Sequence, residues 1–244
     1  MAELREYLVS NNEHFADAVG RINNESNIGD ENEIVLMHDI TLEGNYILTN
    51  GKTTTIKGEG KTITVNQGAG IKVTGEKTTL NLGANGYDKK LTIDGNAKGA
   101  FITVSGGATA NMYENVTLQN RQQVDQACVV LEENSVFNMH GGVIEKCSRA
   151  VMADSGTTFN MSRGEIRNCG GDRGSGSGNG GGVRVYEATF VMSGGTISGC
   201  TADKGGGLYA DNSIVTINNG TISGCKARMG AGGGLYATNQ STIT

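Results

Sequence analysis

The sequence predicts an all-β chain wound as a coil of short, stacked parallel strands. Three observations predict it: one phrase that recurs along the second half, a pair of apolar residues at fixed distance before it, and a composition without proline. The phrase is Gly-x-Ile-x-x-Cys. It reads GVIEKC at Gly142–Cys147, GEIRNC at Gly164–Cys169, and GTISGC at both Gly195–Cys200 and Gly220–Cys225. The cysteines fall 22, 31 and 25 residues apart, so the period varies while the phrase does not.

Five and three residues before each anchor glycine stand Phe137 and Met139, Phe159 and Met161, Phe190 and Met192, and Val215 and Ile217. Apolar–x–apolar is the period of two that marks a strand. A third phrase, GGGVRV at Gly180–Val185 and GGGLYA at Gly205–Ala210 and Gly232–Ala237, gives another strand after a glycine turn. Strands this short cannot bury an apolar face alone. Stacking each repeat on the next, like residue on like, gives three parallel sheets around a core of stacked files. The other two strands of each coil supply the crossover that parallel pairing requires. Looser versions of the pattern, such as KLTID at Lys90–Asp94 and TTTIK at Thr53–Lys57, extend it toward the N-terminus. The repeats predict roughly seven to nine coils across residues 31–244, on the order of 35–45 Å of solenoid at ordinary strand spacing.

Proline is absent, and 39 of the 244 residues are glycine. Both follow from the coil. A strand paired on both edges cannot spare an N–H, and tight corners repeated in register favour residues without a Cβ. Residues 1–30 differ. A Ser10–Glu13 capping box precedes Phe15, Ala18, Val19 and Ile22 at helical spacing, which predicts an amphipathic helix capping the open end of the solenoid. The last residues, STIT, stop within a repeat. The expectation is a solenoid truncated at its C-terminus, with an uncapped final coil able to self-associate.

Glycine-Gly-Thr-Ile-Ser-Gly followed by triple-Gly–aliphatic resembles the repeats of right-handed parallel β-helices of the pectate-lyase-like superfamily. It is most similar to those of bacterial surface and adhesin-like proteins. That resemblance implies a right-handed coil and an extracellular or cell-surface home. Such repeats commonly carry Asn where this chain has Cys147, Cys169, Cys200 and Cys225.

Net charge is −5, and no basic stripe interleaves with aromatics, which argues against nucleic acid. No apolar stretch is long enough to span a membrane as a helix. The four repeat cysteines should stack as a structural column of small apolar fillers; disulfides along the column are the alternative. An in-line column does not converge on zinc, and no cofactor is expected. The solenoid aspartates fall at no common repeat position, so no catalytic residue is assigned. Glu145 and Arg167 stand at one outward position on adjacent coils and should form a cross-strand ion pair. Two places after the triple glycine, Arg184, Tyr209 and Tyr236 should form an outward ladder on which a sugar or protein stacks. The insertion GGDRGSGSGNGGG, with Asp172 and Arg173, is a candidate lip beside it. The expected function is a non-catalytic module of a bacterial surface or secreted protein that binds glycan or host protein. The alternatives are a polysaccharide lyase or glycoside hydrolase with degenerate motifs, and a structural stalk.

Overall fold

The computed structural model describes residues 4–25, 27, 29–95, 99–121, 127–170 and 178–244. It is a parallel β-solenoid of about nine turns. The chain visits three sheets in rotation, of ten, eight and eight strands, each ordered strictly by coil. In the second half, one coil runs Thr158–Met161 in the first sheet, Glu165–Arg167 in the second, then Val183–Tyr186 in the third.

Register explains why the phrases repeat. Ile144 pairs with Ile166, Ile166 with Ile197, and Ile197 with Ile222. The file continues upward through Leu118 and Ile93 to Ile63 and Ile40. Phe137, Phe159 and Phe190 form a second interior file, with ring centroids 5.3 and 5.0 Å apart. The methionines form a third, and their relation to the anchor glycines is steric. A Cβ on Gly164 would lie 2.7 Å from Met139 Cε, and one on Gly195 would lie 2.7 Å from Met161 Cε. Each methionine tip therefore fills the space that the next coil's glycine leaves open, in the way that flexible thioethers fill irregular gaps.

On the outside of the first sheet the sequence held an unread ladder. The Nδ2 of Asn160 donates to Asn138 (2.9 Å), Asn138 to Asn111 (2.9 Å), Asn111 to Asn81 (2.8 Å), and Asn81 to Thr55 Oγ1 (3.1 Å). All these bonds point the same way along the coil axis, so each polarises the next.

The predicted helix spans Asn12–Glu25 and buries Phe15, Ala18, Val19 and Ile22, with Phe15 edge-on to Tyr46 at 5.1 Å. Its cap is one residue later than expected. Asn11 Oδ1, not Ser10, accepts the amide of His14 at 2.8 Å. At the other end the buried Lys52 Nζ donates to the carbonyls of Ile22 and Asn23, both at 2.7 Å. It thereby satisfies orphan acceptors at the helix C-terminus. The segment before the helix is also a strand: Leu4–Val9 pairs in parallel with Glu31–Leu36 and starts the first sheet.

The corner between the second and third sheets requires a left-handed residue just before each column position. Asn120, Lys146, Asn168, Gly199 and Gly224 all have φ between 52° and 66°. Lysine is the misfit, since it lacks the local hydrogen bonding of Asn and the freedom of Gly. Lys146→Gly is expected to raise stability by about 1 kcal/mol. What is lost is a 3.7 Å ion pair with Glu145 from a half-exposed side chain, a contact of small worth. Chemical denaturation should show a higher midpoint at an unchanged m-value.

Candidate functional site

The cysteine column is interior. Cys147, Cys169 and Cys200 are buried, and Cys225 is partly so. One member departs from the expectation: Cys147 is joined by a disulfide to Cys128, which lies off the column, with Cα atoms 6.6 Å apart. The reason lies in the register. Cys128 precedes Val129 as Ala150 precedes Val151 and Gly182 precedes Val183, and these valines pair in succession. Cys128 thus occupies the position of the third glycine of the triple. A Cβ on Gly182 would lie 3.4 Å from Cys200 Sγ, and one on Gly207 3.2 Å from Cys225 Sγ. The column faces that file one coil along, so a cysteine placed in the file meets the column cysteine that follows it.

Cys169, Cys200 and Cys225 remain thiols. Hydrogen bonding to Cys169, together with burial, pushes the Cys200 thiol up to about 12. Cys225 is raised in the same direction, chiefly by its hydrogen bond to Cys200. Raised pKa values at Cys200 and Cys225 disfavour the nucleophilic thiolate, so these positions read as core filler. The same column position one coil earlier is Arg121, fully buried. Its Nε donates to the Gly99 carbonyl (2.9 Å) and its Nη1 to Ser148 Oγ (3.0 Å).

Of the outward ladder, Arg184, Tyr209 and Tyr236 are register partners as expected, and the two tyrosines stack at 5.6 Å and 12°. The strip is less open than a binding platform needs. Tyr209 keeps only 8% exposure, held between Arg184 and Tyr236. Burial raises its phenol pKa. Lys204 covers Tyr236 from 5.3 Å; it belongs to Thr201–Lys204, which pairs with Lys226–Ala231 as a fourth, two-stranded sheet. Arg184 turns away from Tyr209: its Nη1 lies 3.2 Å from Asp154 and its guanidinium 5.6 Å from the Tyr186 ring centroid. Asp172 and Arg173 lie outside the described residues. Glu145 and Arg167 form the expected pair at 2.8 Å. That contact is the main cause of the raised pKa of Arg167.

The open face lies at the next corner, where the third sheet returns to the first. Tyr186, Glu187, Asp211, Asn212, Asn239 and Gln240 line a shallow groove of about 400 Å³. Tyr186 is 37% exposed. Glu187, Asn212 and Asn239 all adopt left-handed conformations, with φ of 50°, 48° and 48°. One polar turn therefore repeats per coil, about 4.8 Å apart. The carboxylates are held in place. Glu187 Oε2 accepts from Ser155 Oγ at 2.7 Å. Asp211 accepts from Asn239 Nδ2 at 2.7 Å and from the Tyr209 hydroxyl at 3.2 Å. Hydrogen bonding to Glu187 and its charge raise the Tyr186 phenol pKa. An aromatic face beside fixed acceptors and amides can hold a hydroxyl-rich ring by its apolar side and its edge together.

A second groove, of about 380 Å³, lies at the corner between the first and second sheets; Lys90, Glu114, Asn115 and Glu165 are among its lining residues. The Tyr113 and His140 rings stack at 5.1 Å on the neighbouring outward file. Sequence reasoning missed both grooves: the first is lined by strand ends and turn residues, and the second by outward members of the repeat phrase itself, such as Val143 and Glu165, whose exposure the phrase does not mark. No family model, curated protein or solved structure matches the chain in comparison.

Proposed function

We propose that this chain is a β-helix of the pectate-lyase-like type, acting without catalysis as an adhesive, glycan-binding module of a bacterial surface or secreted protein. The observation that carries the reading is the groove centred on Tyr186. An exposed aromatic ring is set against Asp211, Asn212, Asn239 and Gln240 on a rigid, repeating scaffold. Rigid placement keeps the ordering cost of binding low. The enzymatic alternative rests on the second groove, whose Lys90, Glu114 and Glu165 supply groups able to exchange protons.

A glycan array followed by titration calorimetry tests the reading. The unmodified chain should retain at least one oligosaccharide class. Tyr186→Ala should weaken that binding about tenfold, the loss of a stacking contact of about 1.4 kcal/mol, while Tyr113→Ala leaves it unchanged. Retention lost with Tyr113 and not Tyr186, or turnover of a polysaccharide, would move the site to the second groove. No retention of any glycan would end the proposal.

A further inference from the structure

Resting on the glycan reading, we infer that the Tyr186 groove selects glycans that carry no carboxylate or sulfate, and binds them through sugar hydroxyls donated to Glu187 and Asp211. Among the described residues, the groove lining contains two carboxylates and no lysine or arginine. The same corner carries Glu132, Glu133 and Asp154 on the preceding coils. Backbone bonds from Asp154 to Leu131, from Gly156 to Glu187 and from Glu187 to Asp211 stack these turns on one another. The nearby guanidinium of Arg184 is engaged by Asp154. That guanidinium also lies 5.6 Å from the Tyr186 ring centroid, but Asp154 offsets its charge, so an anionic ligand entering this corner meets the carboxylates of Glu187 and Asp211 with no lysine or arginine among the described lining residues.

The acceptors fit a neutral partner. Glu187 and Asp211 each take one or more hydrogen bonds from the protein, and a carboxylate has further lone pairs for donors. Hydroxyls of a neutral sugar supply those donors, and the side-chain amides of Asn212 and Gln240 can return them. Three coils span about 10 Å, which gives room for two linked pyranose rings across Tyr186. The inference also separates the groove from polyuronate chemistry, because a uronate chain would place a carboxylate on every ring.

Calorimetry with neutral hexose oligosaccharides and with oligogalacturonates of equal length, at low and at near-physiological salt, decides it. Neutral chains should bind at least tenfold more tightly. The gap should widen at low salt, where screening is weakest. The double variant Glu187→Gln, Asp211→Asn should shrink the gap by improving oligogalacturonate binding. Equal or tighter binding of the uronates, or a gap that the double variant leaves in place, overturns the inference while the glycan reading stands. Binding of neither class overturns the inference, and an array that retains no glycan at all overturns the glycan reading with it.

Discussion

Phe159→Ala is expected to cost about 3–5 kcal/mol of stability, the range for deleting a fully buried phenylalanine. Phe159 has no exposure and stacks on Phe137 above and Phe190 below, with interplanar angles of 16° and 23°. Two aromatic pairs are lost at once, each worth about 0.5–1.5 kcal/mol beyond area. Neighbouring coils cannot close the gap, because their backbones are fixed by ladders on all three sides. Phe159→Leu keeps most of the volume and should cost less than half as much. In a solenoid each coil touches only its neighbours, so the damage should also uncouple the two halves. Guanidinium unfolding of Phe159→Ala should therefore broaden as well as shift. A loss below about 1 kcal/mol with a sharp transition would mean that the aromatic file is not continuous.

The files of the core were legible because stacking in register writes the same letter at the same place in every repeat. Ile144, Ile166, Ile197 and Ile222 could be read as one column without any coordinates, and the Glu145–Arg167 pair followed from the same alignment. The strand Leu4–Val9 was not legible, because its inward positions are Arg5, Tyr7 and Val9, which blurs the apolar alternation. The Asn11 cap was displaced by a single residue, since Ser10, Asn11 and Asn12 are all competent cap residues and the choice is set by how the helix docks.

The site was less legible than the fold, for a physical reason. Counting two places after the triple glycine located Arg184, Tyr209 and Tyr236 correctly in register. Exposure is not written in register, however. Whether Tyr209 is open depends on Tyr236 and Arg184 at its two sides, and on where the variable segments around Lys204 fold. Tyr186 lies two residues after Arg184, at the end of the same strand. It reads as a strand end, and nothing in the repeat marks it as the aromatic that remains accessible.

The disulfide was within reach of the same alignment, and it gives the second large expectation. QACVVL at Gln126–Leu131 aligns with GGGVRV at Gly180–Val185, which puts Cys128 in the file facing the column one coil along. The bridge to Cys147 closes a sequence separation of 19 residues, for which chain entropy predicts about 3 kcal/mol of stabilisation. Opened by a reductant, the chain should lose roughly that amount. Cys128→Ala should lose a similar amount and no more, because alanine already fills the equivalent file position at Ala150. Thiol titration in guanidinium without reductant should count three free cysteines, those at 169, 200 and 225. Five would mean that the file and the column do not meet at this coil. The bridge ties the corner in the middle of the solenoid, where each half would otherwise separate independently. Its reduction should therefore lower the stability of both halves, and a one-sided loss would place the coupling elsewhere.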